Sequence, residues 1–221
     1  MKLFVATHNQ HKIREIGQIL PGFEIIADDP ADVEENAPDF VGNALIKVRA
    51  IAGKHPGAWC LADDSGLEVV ALGGEPGVRS ARYSEGKEEF VKFLTSGKDS
   101  ASPLKEELGK SLRSGEDTAS PLTRTQMNNA LLLKNLQGVA DRRANFTCCC
   151  ALVSPDGTEH TVVGKCFGQI AEKPSGAEGF GYDPLFIPDG HDKSFAELTA
   201  DEKNAISHRG RALAEVVKLI R

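Results

Sequence analysis

The sequence predicts an α/β protein, and three observations carry the prediction. Leu3-Phe4-Val5-Ala6 is an apolar run of strand length. The polar stretch Thr7 to His11 follows it, and then Ile13, Ile16, Ile19 and Leu20 recur at helical spacing from about Lys12. Strand, loop and helix in that order place the loop at the strand's C-terminal end, where open α/β sheets bind ligands. Further on, Phe146 to Val153 and Thr161 to Phe167 read as two strands joined by the turn Ser154-Pro155-Asp156-Gly157.

The other elements follow in order. Asp28 to Asp39 is acidic, punctuated by Pro30 and Pro38, and reads as a loop containing Glu34-Glu35. Phe40, Ala44, Val48 and Ile51 mark one face of a second helix. Ala58 to Ala62 reads as a buried strand, Asp63 to Gly66 as a turn, Leu67 to Leu72 as another strand, and Gly73 to Gly77 as another turn. Pro174 to Pro188 is a Gly- and Pro-rich loop. A final helix begins near Glu202, capped by Thr199 or Asp201, and runs toward the C-terminus with Ala205, His208, Ala212 and Val216 along it. The stretch 87–124 departs from this density of elements. It is rich in Ser, Gly and charge, and Leu94 to Leu104 recurs as Leu112 to Leu122. Two copies are too few for a solenoid, so the stretch reads as a duplicated surface insertion.

Composition narrows the function classes. The 221 residues are 40% hydrophobic and 26% charged, with a formal charge of −6. That suits one globular domain and disfavours a protein that grips polymeric nucleic acid, which needs basic faces. No apolar run reaches the roughly 20 residues of a membrane span, and no signal-peptide core follows Met1, so a cytoplasmic location is expected. The five cysteines, Cys60, Cys148, Cys149, Cys150 and Cys166, contain no CxxC pair. They suggest neither a disulfide framework nor a zinc site, and the consecutive three read as a buried strand.

Four groups of residues could do chemistry. Asp63-Asp64, with Glu34 or Glu35, offers the carboxylates that a hard divalent cation such as Mg²⁺ accepts while substrate phosphates complete its shell. In a strand or a tight turn adjacent side chains diverge, so one aspartate faces the metal and the other a different partner. Thr7, His8, Asn9, Gln10, His11 and Lys12 open a helix whose free backbone N–H groups and positive dipole end suit phosphate. Phe180 or Tyr182 could stack on a base, and Asp183 could accept from a ring N–H. Lys203, with His208 and Arg209, supplies cationic and N–H donors.

These pieces together resemble the inosine triphosphate pyrophosphatases, the HAM1-like family. The resemblance runs from Leu3 to Asn9 through Ala62-Asp63-Asp64-Ser65-Gly66-Leu67, Ser80-Ala81-Arg82-Tyr83, Phe180-Gly181-Tyr182-Asp183-Pro184 and Glu202 to Arg209, in the family's order. It implies a long central mixed sheet with two lobes flanking a substrate cleft, as one two-lobed domain over 1–221. It also implies a homodimer and Mg²⁺-dependent hydrolysis of non-standard purine nucleoside triphosphates (ITP, dITP, XTP) to the monophosphate and pyrophosphate. Such an enzyme clears damaged nucleotides. By position, Thr7 to Lys12 would hold phosphates. Asp64 would bind metal and act as general base, with Glu34 or Glu35 completing the metal site. Ser65, Phe180, Gly181, Tyr182, Asp183, Lys203, His208 and Arg209 would contact substrate. His8 stands where many members carry glycine, and the repeat-bearing stretch has no counterpart recognised in the family. A pyrophosphatase for other modified nucleotides, or a non-catalytic nucleotide-binding protein, are the competing classes.

Overall fold

The computed structural model describes residues 1–30, 33–87, 89–90 and 122–220. Apart from its outermost residues, the repeat-bearing stretch at 87–124 lies outside them. The elements, in chain order, are β1 (Lys2–Val5), α1 (Gln10–Ile19), β2 (Glu24–Ala27), α2 (Phe40–Ala52), β3 (Cys60–Val69), α3 (Arg124–Asn135), β4 (Arg143–Val153), β5 (Glu159–Ile170), β6 (Phe186–Pro188), α4 (Ala200–Ile206) and α5 (His208–Ile220). The strands form one sheet in the order β2-β1-β3-β4-β5-β6. It is mixed: β1 runs parallel to β2 and β3, and β6 antiparallel to β5. The expected α/β class with a mixed sheet is met. Among the described residues no helix is long and apolar enough to cross a membrane.

The chain divides into two compact units. The first is Met1–Gly66, Asn145–Phe167 and Thr199–Arg221; the second is Leu67–Ala144 and Gly168–Leu198. In the first, one face of β1, β3 and β4 (Leu3, Val5, Leu61, Cys148, Cys150) packs against Ile16 of α1 and Leu213 and Val216 of α5. Cys148, Cys149 and Cys150 are buried free thiols, as a strand in the core predicts.

Helix α3 was not expected, β6 lies in the stretch read as a loop, and four other elements differ from expectation. Asp63 to Gly66 is no turn, because β3 continues through it to Val69. The polar residues that suggested a turn are held by partners elsewhere in the chain, so they need no local backbone bonds. Glu24–Ala27 is an additional strand; with two isoleucines between Glu24 and Ala27 it is too short to announce itself. Leu67 to Leu72 is the end of β3 followed by a 3₁₀ turn at Val70–Leu72. The last helix is two. Ser207 adopts an extended backbone (ψ 158°) after α4, and its Oγ accepts from Gly210 N at 3.0 Å, which restarts the chain as α5. Gly210 is required there, since a Cβ would lie 1.9 Å from the carbonyl oxygen of Asn204. Thr199 caps α4 in a reciprocal box with Glu202.

Candidate functional site

In the first unit, β3 is the organising strand. Its alternation sends Asp63 and Asp64 to opposite faces, and each finds a different set of cations. The Asp63 carboxylate lies 2.9 Å from Lys12 Nζ and 3.0 Å from Arg209 Nη2, and is 1% exposed. Ser65 Oγ donates to the same oxygen at 3.2 Å and accepts from Arg209 Nη2 at 2.9 Å. The other terminal guanidinium nitrogen, Nη1, pairs with Glu15, which also receives Lys203 Nζ at 2.7 Å. One buried network therefore joins α1, β3, α4 and the first turn of α5. Burial alone would push the Asp63 carboxyl up, but Lys12, Arg209 and Lys47 outweigh it and hold it well below the carboxylate range. Glu15 is likewise held down by Arg209 and Lys203 against its burial. Asp63 Oδ1 remains buried with no hydrogen-bond partner among the described residues.

Asp64 has a different setting. Its Oδ1 is 2.9 Å from Lys47 Nζ and its Oδ2 accepts from Asn43 Nδ2 at 3.3 Å. Burial raises this carboxyl above its ordinary value, and Lys47 and Lys12 only partly counter it. Lys47 Nζ also reaches Glu35 Oε2 at 3.0 Å. Of the two glutamates left open by the sequence, Glu35 is thus the one tied to the Asp64 centre, whereas Glu34 is exposed. Among the described residues no three carboxylate, histidine or cysteine side chains converge as a self-sufficient metal cage. Asp64 with Glu35 fits instead a hard cation that takes one or two carboxylates and completes its shell with substrate phosphates.

The expected phosphate loop is ordered by its own side chains. Asn9 caps α1, its Oδ1 accepting from His11 N at 2.9 Å and Lys12 N at 3.3 Å, while Asn9 N donates to Thr7 Oγ1 at 3.1 Å. Two of the backbone donors expected for phosphate are therefore used by the cap. Gln10 and His11 are exposed, and His8 Nδ1 lies 3.2 Å from Asp29 at the surface. Among the described residues only glycines have positive φ, so histidine at position 8 sits in an ordinary backbone.

His208 is 5% exposed and stacks on Phe146, with centroids 4.7 Å apart and planes 12° from parallel. Burial, with Arg209 and Lys203 nearby, depresses its pKa far below the usual value, so the ring is neutral, and its Nδ1 is buried without a partner among the described residues.

The aromatic motif belongs to the second unit and is a loop with two left-handed glycines, Gly179 (φ 75°) and Gly181 (φ 64°). Asp183 is buried and accepts from Phe180 N at 2.7 Å; a Cβ at position 179 would meet its Oδ2 at 2.2 Å. Tyr182 is 4% exposed and donates to Ser80 O at 2.9 Å. Gly181 O accepts from Asn129 Nδ2 at 3.1 Å. Tyr182 and Asp183 thus hold the loop's shape, and Phe180 is the half-buried ring of the pair considered for stacking.

Glu15, Asn43, Lys47 and Asn129 were not singled out in the sequence. Asn43 and Lys47 carried a signal, because they fall between the apolar positions 40, 44, 48 and 51 on the buried side of α2. A lysine and an asparagine four apart on a buried face require partners.

Comparison with known proteins agrees with this layout. The Ham1 family model matches residues 3–106 and 112–219, so all but residues 107–111 of the repeat-bearing stretch, expected to lack a family counterpart, falls within the match. The chain is 40% identical over 232 residues to a dITP/XTP pyrophosphatase of Mycobacteroides abscessus, covering 100% of this chain and 95% of that protein. It is 41% identical over 227 residues to the dITP/XTP pyrophosphatase of Nocardia farcinica, covering 98% and 93%. The solved structure of the Staphylococcus aureus Ham1 protein superposes with a TM-score of 0.73 at 32% identity, covering 100% and 98% of the two chains. On these grounds, and with the motifs in the same order along nearly its whole length, the chain belongs to the Ham1 family.

Proposed function

We propose that this chain hydrolyses non-standard purine nucleoside triphosphates (ITP, dITP and XTP) to the monophosphate and pyrophosphate with Mg²⁺, as a cytoplasmic homodimer that cleanses the nucleotide pool. Family membership and the named activity of its relatives make it a nucleoside triphosphate pyrophosphatase, a hydrolase. The observation that carries the catalytic part is the contrast between the two aspartates. Asp63 is taken up by Lys12, Arg209 and Ser65, while Asp64 faces Lys47, whose ammonium also holds Glu35. A carboxylate outside the Asp63 network and beside a second carboxylate is the one placed to take a proton from water.

Asp64 and Glu35 would hold Mg²⁺, which when bound neutralises charge on the attacked phosphoryl group and the leaving pyrophosphate. The chain's own groups do the rest. Asp64 takes a proton from the attacking water as the water oxygen bonds to phosphorus; the phosphoanhydride bond breaks and pyrophosphate leaves with its electron pair. Lys12, at the head of α1, supplies positive charge for the phosphates. Phe180 stacks on the base. His208, neutral and buried, offers a hydrogen-bonding edge for the carbonyl that hypoxanthine and xanthine carry at position 6. Adenine has an amino group there, and a site built to pair one polarity rejects the other because buried groups stay unpaired.

The test is pyrophosphate release in Mg²⁺ across ITP, dITP, XTP, GTP, ATP and modified pyrimidine triphosphates, with Asp64→Asn alongside. ITP, dITP and XTP should lead, and the variant should fold yet lose about 100-fold or more in rate. A modified pyrimidine leading the panel would replace the substrate class. Tight ITP binding without turnover would point to a non-catalytic role.

A further inference from the structure

We infer that Asn129 is a positioning residue for the Phe180–Asp183 loop: its amide fixes the Gly181 carbonyl, and through that bond α3 sets how tightly the loop engages the base. The inference rests on the reading of this loop as the base platform.

Two adjacent asparagines on α3 show why. Asn128 uses both ends of its amide. Its Oδ1 accepts from Ser84 N at 2.9 Å and Ser84 Oγ at 2.7 Å, and its Nδ2 donates to Ser80 O at 3.2 Å and Ala81 O at 3.1 Å. It is a satisfied structural clamp. Asn129 is as buried, at 4% exposure, but among the described residues its side chain makes one bond, from Nδ2 to Gly181 O at 3.1 Å. Its Oδ1 is buried with no partner among them. An orphaned buried acceptor costs stability that an apolar side chain of similar shape would not. The positions that follow on α3, Ala130 to Leu133, are buried and apolar, so leucine at 129 would suit the helix. What the asparagine supplies in exchange is the bond to Gly181.

That bond acts at a sensitive point. Gly181 is left-handed and sits between Phe180 and Tyr182. Glycines have more backbone freedom to lose than any other residue, so the loop's shape depends on its tethers. Asp183 fixes the Phe180 amide from within the loop, and Tyr182 anchors to Ser80. Asn129 fixes the peptide that follows Gly181, and thereby the direction in which the loop turns after the ring of Phe180.

The experiment measures KM and kcat for ITP and the melting temperature of Asn129→Leu, Asn129→Asp and Phe180→Ala. Asn129→Leu should raise KM about threefold to tenfold, the worth of one hydrogen bond, with kcat within about twofold. Its melting temperature should change little, because the orphaned Oδ1 is gone while the Gly181 carbonyl loses its donor. Asn129→Asp keeps the shape but turns an ionised acceptor toward the Gly181 carbonyl, so its KM should rise at least as far. A merely structural asparagine would lower melting temperature and kcat together and leave KM fixed. That pattern, an unchanged KM in both folded variants, or loss of folding in both would overturn the inference. Phe180→Ala separates the two readings. If KM stays fixed in that variant, the base-platform reading fails; if KM rises there but not in the Asn129 variants, only the role of Asn129 fails.

Discussion

The charged network of the first unit and the aromatic loop of the second hold functional groups in place by opposite means. Around Asp63, two carboxylates and three cations meet, with Asp63, Lys203 and Arg209 buried and Glu15 and Lys12 partly so, and Arg209 at 1% exposure joins Asp63 to Glu15. Around Phe180 the ties are short hydrogen bonds to backbone groups, and the turn depends on glycines. Charge burial is costly unless every member is paired, so the network is rigid and fails as a whole when one member goes. The loop is assembled from separate bonds of modest strength, so it can be loosened one tie at a time.

The largest expected effect comes from breaking the network at its centre. Arg209→Ala leaves the buried Asp63 and the partly buried Glu15 with fewer counter-charges and should destabilise the protein by about 3–5 kcal/mol in urea unfolding. A loss below about 1 kcal/mol would show that the network is solvated and that the contrast with the loop is false. A smaller effect, specific to pH, tests the neutral ring beside the network. Below about pH 6.5 the unfolded chain binds a proton on His208 that the folded protein refuses. Its share of stability therefore falls as pH drops from about 6.5 toward the depressed folded value, by up to about 1.4 kcal/mol per pH unit. His208→Phe should flatten the stability profile in that window, and an identical slope in both proteins would mean that the folded ring titrates normally. The smallest effect belongs to the loop. Asp183→Ala removes the acceptor from Phe180 N and should cost about 1–2 kcal/mol, with ITP KM rising while kcat holds. A fall in kcat as steep as that of Asp64→Asn would tie the loop to the chemistry.

Much of the fold was readable because apolar periodicity is a local property. Ile13, Ile16, Ile19 and Leu20 announced α1, and Phe40, Ala44, Val48 and Ile51 announced α2, to within a few residues of their ends. The misreadings occurred where a residue's partner is distant in sequence. Asp63 and Ser65 look like a turn because such residues often bond their own backbone. Here Arg209, 146 residues away from Asp63, takes that role, and the strand continues. Ser207 looks like helix interior until its hydroxyl is seen capping α5.

The sequence by itself determined the α/β class, the family and the buried cysteine strand, and it named the candidate site residues, because each is written in local spacing or in motifs of fixed order. Only the tertiary structure decided the contacts within that set. It paired Asp63 with Lys12 and Arg209 and Asp64 with Lys47, drew Glu35 rather than Glu34 to Lys47, and committed Tyr182 and Asp183 to holding their loop. It also brought in Glu15 and Asn129, which no motif marked. The physical reason is that ionisation and hydrogen bonding depend on burial and on which opposite group lies within about 3 Å, and neither is a local property of the chain.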